Sequence, residues 1–107
     1  MTTFDKREDD FEKRFAHDEE LRFKAVARRN RMLGQWAAEK LGLKDAAAEA
    51  YVKEVVAAEF GPGGDEDVFR KVRKDFDANG VAQSDHQIRR TMEDFFTRAV
   101  EQIKTVG

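Results

Sequence analysis

Helix-breaking residues are nearly absent from the first part of the chain, and this constrains the fold more than any other feature. The single proline of the 107 residues is Pro62. Between about Asp5 and Leu41 the one glycine is Gly34, so little in this stretch interrupts a helical pattern. The stretch is predicted to form one long helix, or two helices that meet end to end.

The first helix is predicted to end at Gly42, because a glycine in this place favours a left-handed C-terminal cap, with Leu43 making the contact that often follows. Asp45 is the predicted N-cap of a second helix. The apolar face of that helix is wide and consists of Val52, Val56 and Phe60, flanked by Tyr51 and Val55.

The clearest break in the chain is GPGG at 61–64, a turn too short to separate two domains. A third helix is predicted after it, with a buried stripe of Val68, Phe69, Val72 and Phe76. Ser84 and Gln87 form a predicted capping box for a fourth helix. The apolar face of that helix consists of Ile88, Met92, Phe95, Phe96, Ala99 and Ile103.

Composition supports an all-α fold. The chain is 40% hydrophobic and 39% charged, which suits one small, highly charged helical domain better than a sheet. Short loops predict antiparallel neighbours, so we expect a small four-helix bundle over residues 20–107, with a long N-terminal helix and a mobile N-terminal extension over residues 1–19. The chain has no cysteine, which excludes disulfide frameworks, zinc ribbons and thiol nucleophiles.

The sequence also bears on location and on partners. The start MTTFDKREDD lacks a basic region and an apolar run, so no secretory signal is predicted. None of the segments approaches the roughly 20 apolar residues that span a bilayer. The formal net charge of -2 provides no bulk attraction to nucleic acid. We expect a soluble protein of the reducing cytoplasm that inserts into no membrane.

The first twenty residues form an unusual segment, with eight acids against four bases. Its large apolar side chains are Phe4, Phe11 and Phe15, which lie on one face if the segment is helical. Three rings do not offset about 1 to 2 kcal/mol of ordering entropy per residue, so the segment is predicted not to fold stably alone. Either it orders on a partner with the rings as anchors, or the rings pack back onto the bundle, or the end is frayed.

A basic stripe follows, without an acid from Leu21 to Ala38. Its members are Arg22, Lys24, Arg28, Arg29 and Arg31. The stripe fits phosphates or an acidic protein surface, but it equally fits a solvated face that is partly neutralised by the pairs Asp18 with Arg22 and Glu20 with Lys24. Trp36 is predicted to lie in the core. His17 fits a pH-sensitive contact with a partner, or an ordinary solvated histidine.

No catalytic constellation is found in the sequence, so an enzyme is not expected. Ser84 and His86 point in different directions on a helix, and a Walker-type loop is lacking. The stretch DFDANGVAQSDH at 75–86 begins like a calcium loop, but its twelfth position is His86 instead of a bidentate carboxylate. Asn79 and Gly80 are better suited to ending a helix. A phosphate-binding or nucleic-acid-binding helical module is a further alternative, which would show a steep salt dependence.

Three stretches of the sequence are distinctive: the opening MTTFDKRE, the run FAHDEELRFKAVARRNRMLGQWAAEKLG at 15–42, and DEDVFRK at 65–71. Together they resemble the ζ subunit family of alphaproteobacterial F1-ATPase. The resemblance covers essentially the whole chain, and it is most specific at 15–42, where AHD, the RRNR cluster and LGQWA occur in order. The stretch after Phe76 is the least specific part.

The resemblance implies an inhibitor of ATP hydrolysis. The fold that the resemblance implies is a four-helix bundle with an N-terminal inhibitory segment that is mobile when the protein is free. The segment becomes helical as it enters a catalytic α/β interface and reaches toward the central γ shaft, where it acts as a wedge against hydrolytic rotation. A general helical module that binds another acidic or phosphate-bearing partner is the alternative interpretation.

The resemblance also implies roles for residues of this chain. The inhibitory segment falls on Thr2 to about Glu19, and its partner-binding residues are the apolar anchors Phe4, Phe11 and Phe15, the bases Arg7, Lys13 and Arg14, and His17. The folded body is expected to seat more weakly on the outside of the enzyme through Arg22, Arg28, Arg29 and Arg31. The implied partners are the α, β and γ subunits of F1-ATPase, peripheral to the inner membrane, and the free protein is expected to be a monomer. Neither a metal nor a cofactor is expected, apart from weak adenine-nucleotide binding at a site that the sequence does not place.

Overall fold

The fold is a ring of four helices, seen in a computed structural model that describes residues 18–106 and the side chains of residues 18–104. The helices are α1 (Glu19–Lys40), α2 (Asp45–Ala58), α3 (Asp65–Ala78) and α4 (Asp85–Val106). The long helix α1 packs most extensively against α2 and α4, and α3 closes the ring between those two. The expected all-α bundle is confirmed.

The helix α1 begins at a capped residue, Asp18, and the part of the predicted first helix before it, from about Asp5, lies outside the described residues. Asp18 has extended backbone angles, with φ of -102° and ψ of 103°, and it is the N-cap of α1. Its carboxylate accepts hydrogen bonds from the backbone N–H groups of Glu20 and Leu21, at 3.0 and 3.2 Å. A side-chain cap of this kind satisfies N–H groups that have no partner in the helix, which is why the helix begins here.

Two helices end in the same way, and both ends were predicted. At the end of α1, Gly42 has a φ of 76°, and the N–H of Leu43 donates to the carbonyl of Ala38 at 2.9 Å. At the end of α3, Gly80 has a φ of 67°, and the N–H of Val81 donates to the carbonyl of Phe76 at 2.9 Å. These are Schellman caps, which need a left-handed residue after the helix. The DFDANG stretch is therefore a helix end.

The start of α4 is also as predicted, whereas that of α2 is not. The Ser84 N–H donates to the Gln87 side chain at 2.8 Å, and the Gln87 N–H donates to the Ser84 hydroxyl at 3.1 Å, which confirms the capping box. Asp45, however, is the first helical residue of α2, with a φ of 52°. The N-cap is Lys44, whose side chain makes no capping hydrogen bond, so the prediction of Asp45 as N-cap is wrong.

The core is formed by one stripe from each helix. Its fully buried large members are Leu33, Val55, Val68, Val72, Phe76 and Ile88. The predicted stripe of α3 is confirmed, and on α4 Ile88, Met92, Ala99 and Ile103 are buried, while Phe95 and Phe96 are half-buried. Trp36 is also half-buried and packs edge-on against Phe76, with ring centroids 5.5 Å apart.

The buried face of α2 is rotated from the predicted one. Tyr51 and Val55 are buried, Val52 and Val56 are half-buried, and the side chain of Phe60 is 71% exposed. The helix ends at Ala58, so Phe60 lies in the following turn, where the helical period no longer predicts its direction. The prediction that Phe60 belongs to the core face is therefore wrong.

A close approach between α1 and α2 requires a glycine. Gly34 is buried on α1, and a Cβ atom placed there would lie 2.9 Å from the Cα atom of Val52. A backbone atom that is held in a helix cannot easily move away. Gly34 thus sets how closely these two helices pack, and with it the position of α2 on the bundle.

We expect the substitution Gly34→Val to force α1 and α2 apart and to lower the free energy of unfolding by about 1 to 3 kcal/mol, the range for overpacked cores. For a domain of this size, the melting temperature falls by roughly 10 °C. Circular dichroism during thermal unfolding measures this change. Gln35→Val is the matched control, because it places the same side chain on the next, exposed residue. An equal loss in both variants would contradict the close-approach explanation.

Candidate functional site

The predicted inhibitory segment lies almost wholly outside the described residues. Its named side chains are Phe4, Arg7, Phe11, Lys13, Arg14, Phe15 and His17, none of which falls within residues 18–106. The structure does describe the point where this segment joins the body, at the capped start of α1. Asp18 and Glu19 are both exposed there.

The arginines of the predicted basic stripe do not form one surface. Arg22 is exposed, and it lines the same depression as Arg29 near the start of α3. Arg28 is half-buried and donates to the Gln102 side chain of α4 at 3.3 Å. Arg31 is exposed and lines a groove between α1 and α2. The helical turn therefore distributes these charges to three sides of α1.

The expected pairing at the start of α1 is confirmed only in part. Lys24 and Glu20 form an ion pair at 3.5 Å, and both side chains are exposed. The Asp18 carboxylate instead caps the helix. An exposed pair one helical turn apart stabilises a helix by only a few tenths of a kcal/mol, so the cap is the stronger feature of this end.

Arg29 lies at the centre of a polar network inside the bundle. Its side chain is 5% exposed, and the guanidinium donates from Nε to the Asn30 side-chain oxygen at 2.6 Å. Its Nη2 donates to Asp65 at 2.7 Å and to Glu59 at 3.3 Å. The amide of Asn30, which is also buried, donates to the same Glu59 oxygen at 2.8 Å. The network ties α1 to both ends of the turn between α2 and α3.

This network shifts the pKa of each acid in a different direction. Burial raises the pKa of Glu59, and the neighbouring charge of Asp65 adds to this, while Asn30 and Arg29 oppose it. Burial also acts to raise the pKa of Asp65, but the hydrogen bond and the charge of Arg29 outweigh it and lower that pKa. The ionised form of Asp65 is therefore the one that the network favours.

Arg29 was expected to face a partner, and the structure places it in the interior. Its charge is neutralised within the chain by Glu59 and Asp65, which lie 30 and 36 residues away. Acids at such separations are not visible from helical spacing, which relates residues three or four apart. The roles of Glu59, Asp65 and Asn30 in this network were therefore not predicted from the sequence.

An exposed aromatic pair is the other feature that the sequence analysis missed. Phe23 is 57% exposed and Phe60 is 71% exposed, and their ring centroids lie 6.1 Å apart. A groove of about 740 Å³ between α1 and α2 continues from Phe60 along Val56 and Val52 toward Leu43. The exposure of Phe23 could have been predicted from the sequence, because Phe23 lies between Arg22 and Lys24 on the charged side of α1.

The carboxylates of the stretch that begins like a calcium loop are held by other side chains. Asp75 accepts a hydrogen bond from the Tyr51 hydroxyl at 2.8 Å and pairs with Lys71 at 3.0 Å. Asp77 pairs with Arg73 at 2.6 Å. Within residues 18–106 no group of three or more His, Cys, Asp or Glu side chains is arranged to hold a metal ion. Among the four described helices, none is long and apolar enough to cross a membrane.

The substitution Arg29→Ala is expected to leave Glu59 and Asp65 without their shared cation and to lower the free energy of unfolding by about 2 kcal/mol at neutral pH. This is less than for a fully buried pair, because Asp65 is partly exposed. Urea unfolding followed by circular dichroism measures the loss. Arg31→Ala is the control, since it removes the same side chain from an exposed position on the same helix. If both variants lose a similar amount of unfolding free energy, the network around Arg29 does not stabilise the fold beyond an exposed arginine.

Stability should also depend on pH through Asp65. A carboxyl group with a lowered pKa in the folded state stabilises the fold above its ordinary value of 3.8, and this contribution is lost as the pH falls through the folded-state pKa. We expect Asp65→Asn to lower the free energy of unfolding by at most about 1 kcal/mol between pH 5 and 8, because the Asp65 side chain is exposed. The difference from the wild type should shrink below about pH 4. Urea unfolding across this range tests it, and a difference independent of pH would refute it.

Comparison with known protein families identifies the family of this chain. The family model of ATPase inhibitor subunit zeta matches residues 1–102 of the 107. The match covers the first 17 residues as well as nearly all of the four helices. A search among curated proteins finds no match. Since the family model spans almost the whole chain, the protein belongs to the ATPase inhibitor subunit zeta family.

Proposed function

We propose that this protein inhibits ATP hydrolysis by F1-ATPase, and that residues 1–19 enter a catalytic α/β interface as a helix that reaches toward the γ shaft. The observation that carries the proposal is the family match over residues 1–102, which includes the segment and the bundle together. Lodged in the interface, the segment blocks rotation in the hydrolytic direction. The interaction is peripheral to the membrane, with the α, β and γ subunits as partners.

The residues of the segment suit this role. The spacing of Phe4, Phe11 and Phe15 puts the three rings on one face if the segment is helical, where they would serve as apolar anchors for a groove. Arg7, Lys13 and Arg14 offer hydrogen-bond donors to carboxylates or carbonyl groups in the interface. His17 is the last partner-binding residue of the segment in this proposal.

The start of α1 supports folding of the segment on its partner. A new helix has a costly first turn, but residues that extend an existing helix avoid this cost. The first turn of α1 is already formed at Glu19 to Arg22, where the N–H of Arg22 donates to the carbonyl of Asp18 at 3.1 Å. Continuation of the helix toward the N-terminus replaces the Asp18 cap, worth about 1 kcal/mol, with backbone hydrogen bonds of the added turns. The segment can therefore become helical by extending α1, without forming a new first turn.

The folded body contributes weaker contacts in this proposal. Arg22 and Arg31 are exposed, and Arg28 is half-buried, so their charges remain available to an acidic surface of the enzyme. Arg29 is left out of this set, because its guanidinium is buried and paired within the chain. Weak adenine-nucleotide binding stays a prediction without a place on the described surface.

The proposal is tested by adding the protein to F1-ATPase from the same organism and measuring steady-state ATP hydrolysis. Wild-type protein should inhibit. A variant that lacks residues 2–17 should not inhibit, and Asp18 is kept in it so that α1 retains its cap. The triple variant Phe4→Ala/Phe11→Ala/Phe15→Ala should raise the concentration for half inhibition by about a hundredfold or more, since each anchor contributes about 1 kcal/mol or more.

The matched control is Lys6→Ala/Asp9→Ala, which removes one base and one acid from the opposite side of the same predicted helix. It should inhibit almost as well as the wild type. Inhibition by the variant that lacks residues 2–17 at the wild-type level would refute the insertion mechanism. A wild-type protein that leaves hydrolysis unchanged would refute the function itself.

A further inference from the structure

The aromatic pair Phe23 and Phe60 is placed where the bundle itself cannot bury it. Phe23 lies on the outer side of α1, and Phe60 lies in the turn after α2. They are the two exposed large hydrophobic side chains of the described residues. Full burial of a phenylalanine is worth about 1.5 to 3 kcal/mol relative to exposure, so two exposed rings in contact mark a surface that gains from a partner.

The pair is one end of a longer apolar surface. Phe60 and Val56 border a small crevice with Phe23, and the same two residues line the groove between α1 and α2. The groove continues along Val52 to Leu43, both of which are half-buried. We call this surface the α1–α2 patch, defined by Phe23, Phe60, Val56, Val52 and Leu43.

Charge does not select the partner of this patch. The groove is lined by the bases Arg31, Lys44 and Lys53, but also by the acids Glu39 and Glu49. The groove thus carries three bases and two acids, and charges of both signs do not define one class of charged partner. Its recognition must rest on apolar contact in the centre, with polar side chains at the rim, as in most protein interfaces.

The position of the patch identifies what covers it. Phe23 is five residues after Asp18, which is about 7.5 Å along a helix axis. The 17 residues before Asp18 are those proposed to enter the enzyme. A protein that holds this segment therefore has its surface within a short distance of Phe23 and, through the ring contact, of Phe60.

We propose that the α1–α2 patch docks on an apolar surface of the same F1-ATPase subunits that hold the N-terminal segment. The inference rests on the proposed function and adds a second contact to it. The occupant is a solvent-exposed apolar area of the catalytic α/β pair, outside the interface into which the segment inserts. Phe23 and Phe60 are the central contacts, and Val52, Val56 and Leu43 extend them.

Two linked contacts bind more tightly than either alone. Once the patch is docked, the segment searches for its site at a high effective concentration, and the reverse holds once the segment is inserted. The patch thus contributes to the rate and the affinity of inhibition, whereas the segment performs the blocking. A loss of the patch should weaken inhibition without lowering its maximum.

The experiment compares full-length variants in the ATP hydrolysis assay. Phe23→Ala/Phe60→Ala should raise the concentration for half inhibition by about tenfold, which corresponds to about 1.4 kcal/mol, and should slow the onset of inhibition. At saturating protein the inhibition should equal that of the wild type. The double variant Phe23→Leu/Phe60→Leu keeps apolar side chains at both positions and should recover most of the loss. His86→Ala/Thr97→Ala is the matched control, because it removes two exposed side chains of α4 that do not line the patch.

A second measurement separates docking from insertion. The full-length variant Phe4→Ala/Phe11→Ala/Phe15→Ala, added in excess, should slow the onset of inhibition by wild-type protein, because its intact patch competes for the docking surface. The addition of Phe23→Ala/Phe60→Ala to that variant should abolish the competition. Circular dichroism verifies the fold, which should persist because both rings are exposed.

The outcomes separate the two proposals. If wild-type protein inhibits but Phe23→Ala/Phe60→Ala inhibits with the same half-inhibition concentration and rate, the docking inference is wrong and the proposed function stands. If the wild type does not inhibit at all, the proposed function is wrong. Should wild-type protein dimerise at assay concentrations and the patch variant be monomeric, a second copy covers the patch, which would overturn the inference.

Discussion

The ion-pair network around Arg29 is the interaction on which the arrangement of the described residues depends. It joins the middle of α1 to Glu59, at the end of α2, and to Asp65, at the start of α3. A guanidinium taken out of water is costly unless its donors are paired, so the turn at 59–65 is held where it can pair them. Phe60 follows Glu59 directly, and the network thereby also places its ring beside Phe23.

Two regions of the bundle have different physical characters. Around Leu33, Val55 and Phe76 the helices bury a continuous apolar core, and Gly34 lets α1 and α2 approach closely. Toward the start of α1 the contacts become polar, and aromatic rings lie on the surface. The bundle therefore combines an apolar core with a polar network, beside which two aromatic rings remain exposed.

Much of the fold could be predicted because its signals are local. The glycine caps at Gly42 and Gly80 and the capping box at Ser84 depend on residues within six positions of each other, and all three are confirmed. The predicted ion pair of Asp18 with Arg22 failed because the same residue can take two local roles. Asp18 suited an ion pair and a cap, and the cap is the one that forms, since the first N–H groups of a helix need an acceptor.

By itself, the sequence determined the helical class, most of the helix ends and the family, because composition, period and caps are properties of neighbouring residues. Only the tertiary structure decided which of the four arginines of α1 is interior, which face of α2 is buried, and that Phe23 meets Phe60. Each of these depends on residues that lie about 18 or more positions apart. Helical spacing carries no information on such contacts, which follow from how α1 and α2 pack around Gly34 and from the cost of burying an unpaired charge.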